Sequence, residues 1–102
     1  MSGISFDGRK IVLRQERWRH IVLRHPELKN MAALILFAVA HPDEIYLDPT
    51  GAFHALKHVN DISDFIVVIY TANAEGYIRT AYYTSNIRKE RRYKAFRKLK
   101  PS

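Results

Sequence analysis

At 102 residues, with 17 Lys and Arg against 10 Asp and Glu and a formal charge of +7, the chain is sized for one basic domain, 1–102. It has no cysteine, which excludes disulfides and thiolate metal centres. Its longest apolar run, residues 31–40, falls well short of the roughly 20 residues of a membrane helix, and "MSGISFDGRK" carries no apolar signal segment. A cytoplasmic protein without membrane contact is expected.

"KIVL" (10–13) reads as a short first strand or an extended lead-in. A helix is predicted from about Arg14 to Arg24, with Trp18, Ile21 and Val22 on one apolar arc. Pro26 disfavours helical geometry at His25 and opens a second helix running to about Ala40, which "HPDE" (41–44) closes. Strands follow: "EIYLD" (44–48), a "DPTG" turn, the alternating "AFHALKHV" (52–59) and a polar connection, "NDISD". "FIVVIY" (65–70) is apolar throughout, as a central strand covered on both faces would be; "NAEG" turns into "YIRTAYYT" (77–84). Short connections make these strands an antiparallel meander. The expected fold is α+β, with two N-terminal helices packed on a four-stranded antiparallel sheet and a basic C-terminal helix or tail.

Charge is segregated. Residues 1–85 hold nine basic and nine acidic residues, whereas residues 86–102 hold eight basic and one acidic, which is the whole excess. Arg88, Arg91 and Arg92 belong to that block, and such density suits a polyanion, nucleic acid being the commonest in a cell. Removing residues 88–102 is expected to flatten the salt dependence of RNA affinity and leave the fold intact, unless Tyr93 and Phe96 pack as part of a helix.

On the first helix Arg17, His20 and Arg24 fall on one face, so an imidazole stands between guanidinium groups that disfavour its charged form. A neutral His20 there is either a wet surface residue or a general base beside a phosphate held by arginine. His25, before Pro26, is placed to cap the helix end. His20 and His25 point about 140° apart, and His54 and His58 lie about 13 Å apart on a strand. Neither pair can share one ion, so no metal and no cofactor is expected. On the strands, Lys57 and Arg79 are cations suited to phosphate, while Tyr77, Tyr82 and Tyr83 are core residues or stacking platforms for bases. Arg79 and Thr80, adjacent on a strand, should point to opposite faces.

"RWRHIVLRHPEL", "HPDEI", the lysine-bearing strand, "FIVVIY" and "YIRTAYYTS" together resemble the barnase–EndoU–colicin–RelE-like nuclease superfamily, in its phage-associated branch. The resemblance spans about residues 10–86 and is similar in outline to the small toxins of toxin–antitoxin pairs. It implies metal-independent RNA cleavage, with His20, Lys57, Arg79, Thr80 and Tyr82 as catalytic residues. Arg24 and His25 lie in the same motif and would hold RNA; the residue pattern adds Arg17 and Tyr83, and charge alone adds Arg88, Arg91 and Arg92, which have no counterpart in the resemblance. Two other readings remain: a nucleic-acid-binding module without catalysis, and an interaction domain whose basic tail docks to an acidic partner such as an antitoxin or immunity protein.

Overall fold

A computed structural model describes residues 1–59, 64–73 and 75–101. The elements are β1 (Ser2–Ile4), β2 (Lys10–Val12), α1 (Gln15–Arg24), a 3-10 turn (Pro26–Leu28), α2 (Ala32–Ala40), β3 (Glu44–Leu47), β4 (Phe53–His58), β5 (Phe65–Thr71), β6 (Gly76–Thr84), α3 (Asn86–Tyr93) and β7 (Arg97–Lys100). All seven strands form one mixed sheet in the order β1-β2-β6-β5-β4-β3-β7. The fold is α+β. The predicted connection 60–64 lies, apart from Asp64, outside the described residues, as does Ala74 of the "NAEG" turn.

The meander β3-β4-β5-β6 follows the predicted strands and is antiparallel throughout. β5 is its natural centre because no position from Phe65 to Tyr70 carries a charge, and all six are buried. Alternation along β5 splits the interior in two. Ile66, Val68 and Tyr70 join Ile21, Leu28, Ile35 and Val39 under α1 and α2. Phe65, Val67 and Ile69 face the other way, beside Leu56, Tyr46 and Tyr93 of α3.

The four-stranded sheet expected from sequence is therefore the middle of a seven-stranded one. β1 pairs antiparallel with β2, and β2 runs parallel to the start of β6, Ile11 opposite Gly76. Glycine is required there: a Cβ at position 76 would lie 2.4 Å from the Lys10 carbonyl oxygen. At the far edge β7 pairs with β3, and its Arg97, Lys98 and Lys100 line an edge that charge protects from further pairing.

The predicted second helix is broken. After Pro26 the chain makes i→i+3 bonds, Leu28 N–H to His25 at 3.0 Å and Lys29 N–H to Pro26 at 3.1 Å. This tight turn drives Leu28 fully into the core before α2 begins at Ala32.

The basic C-terminal segment is likewise part of the packed structure, which corrects its reading as a mainly electrostatic tail. The Ser85 hydroxyl accepts from the Arg88 N–H at 3.2 Å, and the Asp64 carboxylate accepts from the Asn86 N–H at 2.7 Å, so α3 starts from two caps. Lys89 and Tyr93, one turn apart, are buried against the sheet. Lys89 Nζ donates to Glu44 Oε1 at 3.1 Å and to Glu90 Oε1 at 2.7 Å, and the Tyr46 hydroxyl donates to the same Glu44 oxygen at 2.5 Å. Burial opposes the Lys89 charge, but these carboxylates outweigh it and raise its pKa. Among the described residues no helix is long and apolar enough to cross a membrane.

Candidate functional site

β2 pairs with β6 only at Gly76 and Tyr77, so α1 lies along the rest of that edge. From the other face α3 approaches the same strand. Between them is a hollow of about 560 Å³ lined by Arg17 of α1, Tyr77, Arg79 and Thr80 of β6, Arg92 of α3, and Asp48, Thr50, His54 and Ile69. Three guanidinium groups thus converge from three elements. Among the described residues none of the three forms an ion pair with a carboxylate.

A β-bulge makes this convergence possible. Ile69 pairs with Thr80 but Tyr70 pairs with Ile78, which leaves Arg79 as the extra residue. Regular alternation would send Arg79 and Thr80 to opposite faces. The bulge instead brings both into one hollow.

The floor is the His54 imidazole, which the sequence pattern offers only as a metal ligand. His54 is buried, with Nε2 2.8 Å from Asp48 Oδ2 and Nδ1 2.9 Å from the Tyr93 hydroxyl. The "DPTG" turn aims Asp48: its Oδ1 accepts from the Thr50 N–H at 2.8 Å, the Thr50 hydroxyl at 2.5 Å and the Ala52 N–H at 3.1 Å, which frees Oδ2 for His54. Burial favours the neutral acid, but these donors and His54 outweigh it and hold the Asp48 pKa well below the carboxylate range. Burial lowers the pKa of His54; Asp48 opposes that shift, while Arg92 and Arg79 add to it. The imidazole is neutral near pH 7. The β3–β4 hairpin places Asp48, just after β3, beside His54, the second residue of β4.

Both shifts act in the same direction on stability. With a folded pKa below the unfolded value of about 6.5, His54 binds fewer protons folded than unfolded on the acid side. Stability is therefore expected to fall as pH drops below about 6.5. Asp48 adds a second loss below the ordinary carboxylate range, where the unfolded chain takes up its proton first. Urea unfolding at pH 7 and pH 5 measures the first effect, and His54→Gln should reduce the difference. Equal slopes in the two proteins would contradict the assignment.

Several predicted residues meet at this hollow and others do not. Arg17, Arg79, Thr80 and Arg92 line it. Tyr82 stands next along β6, its hydroxyl 3.4 Å from that of Tyr93 and the Arg92 guanidinium 5.8 Å from its ring. His25 comes within 6.2 Å of the Tyr82 ring, and its Nδ1 lies 3.5 Å from Glu27 Oε1; it contacts these groups from the helix end where it was expected to cap. His20 is exposed in an adjoining hollow of about 320 Å³ with Arg14, Glu16, Arg17, Tyr77 and Ile78, so Arg17 and Tyr77 are common to both. Arg24 is exposed in the last turn of α1, and Arg88 and Arg91 are exposed on α3.

Lys57 is not brought here. It lies beneath α2, 3.5 Å from Asp43 Oδ1 and 5.2 Å from the centre of the Phe37 ring, in a separate hollow with His41 and Lys100. Tyr83 packs with the α1/α2 cluster on the opposite face from Tyr82. Among the described residues no three His, Asp or Glu side chains gather as a metal site would require.

No family model, curated protein or solved structure matches this chain. The nuclease resemblance stands on the sequence motifs alone.

Proposed function

We propose that this chain binds RNA along the β6 groove and cleaves it by attack of a ribose 2′-hydroxyl on the adjacent phosphate, without a metal. The observation that carries this reading is the meeting of Arg17, Arg79 and Arg92 around one hollow where, among the described residues, Asp48 is the one acidic lining residue. Guanidinium groups present paired donors that match phosphate oxygens, and a pentavalent transition state gathers more charge than the ground state. Thr80 adds a hydroxyl at the same place. Tyr77 at one end of the groove and Tyr82 at the other offer faces on which bases can stack, which favours single-stranded RNA over a lone small anion.

In this reading Arg79 and Arg92 hold the reacting phosphate, and Arg17 holds its neighbour towards His20. Tyr82 removes the 2′-hydroxyl proton, and His25, whose Nδ1 lies 3.5 Å from Glu27 Oε1, protonates the departing 5′-oxygen. The motif resemblance to the barnase–EndoU–colicin–RelE-like nucleases supports the same chemistry, and a toxin-type or phage-derived RNase is part of this proposal.

The test is incubation of labelled single-stranded RNA with the protein in excess EDTA. The expected products carry 2′,3′-cyclic phosphate and 5′-hydroxyl ends. Binding without cleavage would leave an RNA-binding module. Neither binding nor cleavage would overturn the proposal in favour of an acidic protein partner.

A further inference from the structure

We infer that buried His54 is the proton acceptor of this groove, reached from Tyr82 through the Tyr93 hydroxyl; the inference rests on the nuclease reading above. The direction of every hydrogen bond in the string follows from its buried end. Asp48 is a carboxylate and only accepts, so His54 Nε2 must donate across the 2.8 Å contact. A neutral imidazole then has its lone pair on Nδ1, so the Tyr93 hydroxyl donates to it at 2.9 Å. With its proton committed, the Tyr93 oxygen acts as an acceptor, towards the Arg92 guanidinium and towards the Tyr82 hydroxyl at 3.4 Å. Tyr82 therefore directs its proton inward and offers lone pairs outward. It is an acceptor towards the groove.

This polarity defines a balanced step. The 2′-O–H bond breaks as the 2′-oxygen forms its bond to phosphorus, and the proton passes to the Tyr82 oxygen. The Tyr82 proton moves to Tyr93, and the Tyr93 proton to His54 Nδ1. Both tyrosines end neutral, and His54 becomes an imidazolium against the Asp48 carboxylate. The P–O5′ bond then breaks and the 5′-oxygen takes its proton from His25. No oxidant, reductant or further reactant is needed.

The groups around His54 fit that role. Asp48 and Thr50 face it from the β3–β4 turn, Arg79 from β6, and Arg92, Tyr93 and Phe96 from α3 and the segment after it. At rest Arg79 and Arg92 disfavour a charged imidazole. A phosphate bound between them offsets that repulsion, so the acceptor strengthens when substrate is present. Tyr82 is the catalytic residue of the string, while Tyr93 and His54 are positioning residues that act through it.

Tyr93→Phe in the full chain separates proton transfer from packing, because the ring keeps its stack on Tyr46 at 4.6 Å and loses only the hydroxyl. The expected result is a folded protein with unchanged RNA affinity and an unfolding temperature a few degrees lower, because His54 Nδ1 loses its buried donor. Cleavage should fall about 10²-fold, with the acidic limb of the pH–rate profile lost. Tyr82→Phe should give a similar loss, and the double variant no more than either single one. Nitrogen-15 NMR of the histidines should show His54 as the Nε2-protonated tautomer. Tyr93→Phe cleaving within threefold of the parent, or an Nδ1-protonated His54, would overturn the relay while leaving the nuclease reading in place. A parent protein that cleaves no RNA would overturn both.

Discussion

Replacing Arg79 by alanine is expected to lower RNA cleavage by about 10²–10³-fold while leaving the protein folded. Arg79 is exposed and is the unpaired residue of the β6 bulge, so its side chain contributes little burial to either core. Its guanidinium faces a hollow shared with Arg17 and Arg92, and removing one positioned donor from a forming phosphorane costs most of that donor's stabilisation. Arg79→Lys should recover only part of the activity, because an ammonium keeps the charge and loses the planar fork. Single-turnover cleavage of labelled RNA, beside thermal unfolding of the same variants, measures both effects. A loss below threefold for Arg79→Ala would remove Arg79 from the site.

A chain ending at Ser85 is expected to lose cooperative folding altogether. α3 covers Leu56, Phe65, Val67 and Ile69, each between 0% and 8% exposed in the intact chain. Uncovering these four side chains costs several kcal/mol, with about 6–12 kcal/mol as the upper bound for returning all four wholly to water. Whole domains have stabilities of about 5–15 kcal/mol, so this term alone can exhaust the total. Truncation also strands Glu44, buried and deprived of Lys89, and strips β7 from β3. Removing one partner of a buried pair costs about 3–5 kcal/mol. Circular dichroism and urea titration of the truncated chain provide the check; a sharp unfolding transition would show that α3 is dispensable.

Much of the architecture was legible from local patterns. Residues 65–70 announce a doubly covered strand because they carry no charge, and Pro26 marks the end of α1 to the residue. The edge strands were not legible. β1 and β7 have three and four residues, and "RKLK" places a single leucine among cations, so neither shows an apolar alternation strong enough to read. Their strand geometry comes from neighbours that need hydrogen-bond partners.

The break at Leu28 was hidden for another reason. "PELKN" is compatible with a helix, and only the core's demand for Leu28 decides for a tight turn.

The site was half legible. Arg17, Arg79, Thr80, Tyr82 and Arg92 were chosen for their chemistry, and the fold gathers them. Their common face depends on a one-residue bulge that strand periodicity cannot announce. Lys57 fits the chemistry equally well, yet its parity with Phe53 and Ala55 turns it under α2. His54 was passed over because its partners, Asp48 and Tyr93, are six and 39 residues away, and only the folded sheet brings them to one ring.

The most direct test of the central claim, that the groove arginines are where RNA phosphate binds, is the salt dependence of RNA affinity. For single strands the slope of log K against log salt changes by about 0.7 for each phosphate contact removed. Replacing Arg17, Arg79 and Arg92 together by glutamine should therefore shallow the slope by about 2, whereas the same change at Arg88 and Arg91, on the exposed side of α3, should leave it nearly unaltered. An unchanged slope in the groove variant, with the loss appearing at Arg88 and Arg91 instead, would contradict the account.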